Sequence, residues 1–399
     1  MEIVRKFWVL ILVSLILRLI IAAITFHSDV KQPALASAVV FQKGSFDFYG
    51  VSPKLSKDNT LDDLPLTYLI NLPFHFLTRV FVNTNIENTF LNSHEILFGS
   101  SYLWVYLAQL KLPFIIADLI LAVLLLKLTA NIRVFIFWLF NPFSIWVTSA
   151  IGQFDIFPAL FMVLSLVLVG KNRLGWAALV LGVGGAIKFF PFLFLPLLFG
   201  LNKHIWQNIR LILISLLPYA LTVFPFLQSL QFRQNALLAP QLEKSLYAKL
   251  SLSGGEAIFI IPALLIFIYL LYFSKTRKGE DFLPFSTVII LMLLTFTHFH
   301  IQWFLWSMPF LILWFIKNIN LGTRLSISGI FISLLVLLFL FEASLQIKLL
   351  SPVFPLLNGA IGLGENLRGD QLTFLRSITA SVFAASSIYV SWQILRNRS

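Results

Sequence analysis

A few polar residues stand in an otherwise apolar chain where their types suit acid–base and phosphate chemistry. Asp29, in "FHSDV" (26–30), immediately follows an apolar run. A carboxylate anchored at the top of a membrane span and facing a cavity can act as a general base; the alternative is a solvated loop aspartate. Lys188 closes "LGVGGAIK" (181–188). A lysine in an apolar stretch needs an anion, and either a bound phosphate or a neighbouring carboxylate meets that need. A nucleotide-binding loop would need Ser or Thr after the lysine and a strand before it, but here Phe189 follows. Gly182, Gly184 and Gly185 read instead as close helix-packing positions.

His298, His300 and Gln302, in "THFHIQWFLW" (297–306), suit hydrogen bonding to a phosphate or sugar, or packing at an outer turn. Two histidines without H-E-x-x-H and without a third ligand do not make a metal site. Gln153 and Asp155, in "IGQFDIF" (151–157), lie between apolar segments. That position predicts the floor or wall of an outward-facing, wet cavity. Asp62 and Asp63 either support such a site or cap a helix. Lys111 and Asp118 are seven residues apart and share one helical face, with Asp118 placed to pair with Arg18.

The elements that must position these residues follow from composition. The chain has 399 residues, 59% of them hydrophobic and 12% charged, with a mean hydropathy of +0.90. A soluble domain carries about twice that charge. The class is all-α, a polytopic membrane protein of one transmembrane domain. Zero cysteines exclude disulfides and thiol chemistry. Twelve spans are expected, at 7–26, 101–127, 134–150, 155–170, 174–187, 189–201, 208–226, 255–273, 282–298, 302–316, 325–341 and 373–395. The first is expected to be a retained span rather than a cleaved signal, because Arg18 interrupts it.

With both termini cytoplasmic, 15 of the 29 Lys and Arg fall in short cytoplasmic loops and ends, whereas outer loop 27–100 has five against seven Asp and Glu. That is the positive-inside distribution. The net charge of +12 is then an orientation signal and calls for no nucleic-acid partner. Segment 176–200 reads as two short helices meeting near Lys188. Helices of about 13 residues cover about 20 Å of a core about 30 Å thick, leaving a recess above them. In loop 27–100, Pro65 and Pro73 break the run 62–77 into interfacial helices. Outer segments 227–254 and 342–372 are placed to cover the cavity.

In chain order these features resemble the GT-C superfamily of integral-membrane glycosyltransferases, which use polyprenyl- or dolichyl-phosphate-linked sugars. The resemblance runs over most of residues 1–310. It rests on Ser28-Asp29 after the first span and on Asp63-Leu64-Pro65-Leu66-Thr67-Tyr68, in which one of the family's two prolines is absent. It continues through Lys111 and Asp118, Asn141-Pro142, Gly152-Gln153-Phe154-Asp155, Gly182, Lys188 and Pro191, and His300, Gln302 and Trp303.

The resemblance implies transfer of a hexose, mannose foremost, from a lipid-phosphate donor to a hydroxyl on a glycan, lipid or protein acceptor, with inversion at the outer or lumenal face. It implies Asp29 as catalytic base and Lys188, His300 and Gln302 as ligands of the donor phosphate. Gln153, Asp155, Asp63, Lys111 and Asp118 would line the cavity. No Asp-x-Asp pair surrounds Asp29, so a required divalent metal or other cofactor is not expected. The membrane would be the plasma membrane of a prokaryote or the endoplasmic reticulum of a eukaryote. The competing class is a transporter or flippase of polyprenyl-linked sugars, but the repeated halves often seen in transporters are absent from the sequence.

Overall fold

The computed structural model of the chain describes residues 2–56, 59–79, 83–202, 204–238, 240–297 and 300–396. In lipid, each backbone N–H and C=O has to be satisfied within the protein, which favours helices wherever apolar side chains run on. Helix α1 (Glu2–Ile24) leads into an outer layer of short helices that begins with α2 (Lys31–Lys43). In that layer Pro65 and Pro73 each stand in the first turn of a short helix, Pro65–Leu69 and Leu72–Thr78. Proline is tolerated there because the missing N–H would have no helical partner.

Then come α3 (Ser101–Thr129), α4 (Ile132–Leu139), α5 (Ile156–Gly170), α6 (Leu174–Gly185) and α7 (Ile205–Val223). A small antiparallel hairpin, β1 (Lys249–Ser251) and β2 (Ala257–Phe259), pairs Lys249 with Phe259. Helices α8 (Ile260–Phe273), α9 (Phe282–Phe296), α10 (Met308–Phe315), α11 (Leu321–Leu340) and α12 (Gly369–Arg396) complete the chain.

Among the described residues, seven stretches are long and apolar enough to cross a membrane: Phe7–Ile24, Ser101–Thr129, Ile132–Ile151, Ile205–Phe226, Gly279–Phe296, Leu321–Leu340 and Gly369–Arg396. Helices α5, α6 and α8 and the segment Phe190–Phe199 are apolar but shorter. This is an all-α membrane protein. Helix occurs within each of the twelve expected segments, but only the seven above reach spanning length among the described residues, and 255–273 and 134–150 are among those that depart from their expected limits. The expected span 255–273 begins as strand β2 and becomes helical only at Ile260. The expected span 134–150 is interrupted at Asn141, whose Oδ1 accepts from the Phe143 N–H at 2.8 Å and restarts the helix with Pro142 in its first turn.

The main core lies among α3, α5, α6, α9 and α10. A second core lies in the outer layer, where Phe48 and Tyr49 pack on Phe226 and Phe232 with ring centroids 4.7 and 5.0 Å apart. Loop 27–100 and the segment after α7 therefore form one body. Segment 342–372 docks beside it: the Phe26 N–H donates to Leu349 O at 2.8 Å, and Trp104 Nε1 donates to Pro352 O at 2.9 Å.

Two contacts hold the bundle close. At Gly182 of α6, a Cβ would fall 2.0 Å from Ser215 O of α7, so only glycine permits this approach. Arg18 of α1 meets Asp118 of α3, both fully buried, with Nη2 2.7 Å and Nε 3.1 Å from Oδ2. Trp138 Nε1 donates to Asp118 Oδ1 at 2.7 Å, and Arg18 also donates to Ser14 Oγ, Leu139 O and Ser144 Oγ. Asp118 makes the expected pair with Arg18, tying α1, α3 and the end of α4, and does not line the cavity where the resemblance also placed it.

Breaking a buried pair leaves an uncompensated charge, whereas replacing both partners does not. Asp118→Ala should therefore lower stability by about 3–5 kcal/mol, and Arg18→Met with Asp118→Leu should recover most of that loss. Denaturant unfolding in micelles, followed by tryptophan fluorescence, measures both; an Asp118→Ala variant as stable as its parent refutes the role.

Candidate functional site

The site is built around the turn that joins the segment ending at Ile151 to α5. Gly152 sits there at φ 82°, in the left-handed region that favours glycine. A Cβ on it would lie 2.6 Å from Val30 Cγ1 and 2.8 Å from Lys111 Cγ. Lys111 is fully buried below this turn, its Nζ within 3.2 Å of Ala22 O, 2.6 Å of Thr25 O and 2.8 Å of Ala150 O. Its charge is met by carbonyl dipoles at the end of α1 and beside the turn. Lys111 was expected to face the cavity; it clamps the scaffold instead, because three inward-facing carbonyls offer a stronger site than an open cavity.

From this turn Gln153, only 3% exposed, donates from Nε2 to Asp29 Oδ2. The Asp29 side chain stays 38% exposed. His27 faces the same carboxylate, its Nδ1 3.5 Å from Oδ1. Burial holds the His27 imidazole below its usual range, against the opposing pull of Asp29. Its Nδ1 accepts from the Asp29 backbone N–H at 3.4 Å, which places the proton of the neutral ring on Nε2.

Two residues on, Asp155 is completely buried at the start of α5. Its Oδ1 accepts from Lys188 Nζ at 3.0 Å and from Trp306 Nε1 at 2.8 Å, while Oδ2 has no partner among the described residues. Lys188 follows the end of α6 at a turn, so the two short helical segments do meet there. Its ammonium lies 4.6 Å from the Phe154 ring centroid and 5.4 Å from those of Trp303 and Trp306, which stack at 5.1 Å. Cation–π contact and a carboxylate together meet the cost of this lysine.

Lys188 opens onto a cavity of about 350 Å3. Asp62, Asp63, Lys244 and Trp303 also line it, over apolar walls that include Leu193, Ile261 and Leu294. Asp63 is held by its backbone: Tyr49 Oη donates to Asp63 O at 2.5 Å, and the Asp63 N–H donates to Tyr68 Oη at 3.1 Å. Burial raises the Asp63 carboxyl well above the usual carboxylate range, Lys188 opposes that rise, and the charges of Asp62, Asp155 and Asp29 add to it. Lys244 Nζ lies 3.1 Å from His300 Nε2 and 5.5 Å from the Trp303 centroid. Burial and the nearby Lys188 hold the Lys244 ammonium below its usual range.

Asp29, Gln153, Asp155, Lys188, Asp63 and His300 thus gather at one end of the bundle, while Lys111 and Asp118 lie in the scaffold beneath. Asp155 and His300 adjoin the cavity through Lys188 and Lys244 rather than lining it, and Asp29 is not part of the lining. Gln302 is 8% exposed and packed inward, its Oε1 without a partner among the described residues. His298 lies outside the described residues. Sequence reasoning missed Lys244 and His27. Lys244 sits in a polar outer segment where a lysine carries no signal, and His27 was hidden by its neighbour Asp29. Trp303 and Trp306 resembled ordinary membrane-boundary residues.

The chain matches no protein-family model, no curated protein and no solved structure.

Two outcomes follow from this geometry. Gly152→Ala should cost about 2 kcal/mol through backbone strain, and more if Val30 and Lys111 cannot give way; unfolding in micelles reads the loss. Because the native state holds a proton on Asp63 at pH values where the unfolded chain has released it, stability should fall as pH rises from about 4 toward the raised value. Asp63→Asn should flatten that slope, and melting temperatures recorded against pH for both proteins test it.

Proposed function

We propose that this protein is a membrane-embedded glycosyltransferase of the GT-C kind, moving a hexose, foremost mannose, from a polyprenyl-phosphate-linked donor to an acceptor hydroxyl with inversion. The observation that carries this reading is the meeting of charges at one apolar-walled cavity. Lys188 and Lys244 are close enough to repel each other, and an exposed carboxylate, Asp29, is held by Gln153 nearby. Lys188 is paired with Asp155, and Asp62 and Asp63 share the lining, so an anion here would compete with carboxylates for the two lysines; the apolar walls suit a lipid-borne one.

In the proposed step Asp29 takes the acceptor O–H proton, and the acceptor oxygen bonds to the anomeric carbon. The bond from that carbon to the phosphate oxygen breaks, and its electron pair leaves on the lipid phosphate. Lys188 and Lys244 stabilise the charge that develops there, and His300, bonded to Lys244, supports it. In this reading all twelve apolar segments cross or dip into the bilayer. The cavity faces outward and both termini are cytoplasmic, in keeping with the distribution of Lys and Arg.

Removal of a positioned general base slows transfer by about 10²- to 10⁴-fold. Asp29→Asn should show that loss in a radiolabelled-sugar assay with a panel of polyprenyl-phosphate sugars while still binding donor. Undiminished transfer overturns the assigned base, and loss with Asp63→Asn alone would move the role to Asp63. Movement of intact donor across vesicles without a glycosidic product would identify a flippase. Lys188→Ala should raise the donor KM far more than the acceptor KM, and an unchanged donor KM refutes the phosphate role.

A further inference from the structure

A second and larger cavity, of about 830 Å3, opens at the other end of the bundle. Leu283 and Pro284 at the start of α9 line it, whereas Leu293 and Leu294 of the same helix line the first cavity. Ten residues of helix separate the two by about 15 Å. The ends of α3, α5, α10 and α12 meet at the second cavity, through Thr129, Gly170, Ile316 and Ile394.

Its lining is amphipathic. Lys278, Lys317 and Asn172 face it together with one acid, Glu280, and the remaining wall is mostly aliphatic. Both lysines are exposed, and neither ammonium has a carboxylate partner among the described residues. The buried Asp281 is engaged by the Lys278 backbone N–H at 2.9 Å and does not line the cavity.

Helix dipoles explain part of this basic charge. Lys127 and Arg396 stand in the last turns of α3 and α12, and Lys317 stands just past α10, where the carbonyl ends attract cations. Lys278 is different. It precedes the turn Gly279–Asp281 that opens into α9, the end at which the dipole disfavours a cation. Its charge is left for something outside the helix.

We infer that this cavity binds the headgroup of an anionic glycerophospholipid, with the phosphodiester at Lys278 and Lys317 and the acyl chains along the aliphatic wall. The cavity lies where apolar helices end, and basic residues at the ends of membrane-spanning helices attract anionic lipid. Free phosphate would satisfy the lysines but leave the aliphatic wall uncovered. This site is separate from the transfer chemistry proposed above and holds whether or not that proposal does.

The test is phosphatidylglycerol binding to the full chain in phosphatidylcholine nanodiscs, read by native mass spectrometry of retained lipid. Each lysine near an anionic surface contributes about a fivefold change in affinity. Lys278→Gln should therefore weaken retention about fivefold, and Lys278→Gln with Lys317→Gln about 25-fold, while the double Arg variant retains the lipid. Unchanged melting in pure phosphatidylcholine shows that a variant is folded; if the double Gln variant is not, the single one is read instead. Wild-type retention by a folded Gln variant overturns the proposal. So does glycerol phosphate binding as tightly as the lipid, which would mark a free-phosphate site.

Discussion

A charge inside a lipid-bounded bundle has to be met by a partner, and three such meetings organise this protein. Arg18 meets Asp118, Lys111 meets carbonyl oxygens, and Lys188 meets Asp155. The desolvation cost of each ion is several kcal/mol, so none persists without its partners. The first two are sealed from solvent and act as rivets between α1, α3 and the segments after α4. The third is set apart by a side chain that stays 18% exposed on Lys188.

That gradient from sealed to wet gives the site its form. Gly152 brings the turn 152–155 against Val30 and Lys111, and the same turn then presents Gln153 to Asp29 and Asp155 to Lys188. One rigid turn thereby fixes both the exposed carboxylate and the cation at the cavity. Trp306 binds the same Asp155 oxygen as Lys188 and stacks on Phe190 at 3.6 Å, so the outer turn 301–306 is locked to the same anchor. In the transfer proposed above, groups held this way would need little reorganisation as charge develops beside them. The outer layer contributes Asp63 and Lys244, from segments that pack on one another away from the bundle core.

Much of this was legible before any coordinates. Apolar length and the spread of Lys and Arg are one-dimensional signals, so the helical segments could be located, and the meeting of two short helices at Lys188 followed from their lengths. The Arg18–Asp118 pair was legible because an acid and a base in separate apolar runs must find each other. The interruption at Asn141 and the start of strand β2 were not, because a cap and a hairpin depend on hydrogen bonds that apolar composition does not reveal. Lys111 was misread: the resemblance placed it at the cavity, and carbonyl partners leave no trace in side-chain identity. Lys244 was missed because its partner His300 is 56 residues away in the chain.

Residue order alone was enough to establish a helical membrane protein, the approximate place of each apolar segment, and the few polar groups too costly to be idle. Those conclusions need only the transfer cost of each side chain and its neighbours along the chain. Which costly group became rivet and which became cavity wall was settled by folding. Lys111 and Lys188 cost the same in lipid, yet one is closed in by Ala22, Thr25 and Ala150 while the other looks onto open space beside Lys244. The difference lies in how segments distant along the chain pack around each ammonium, and that is a property of three dimensions.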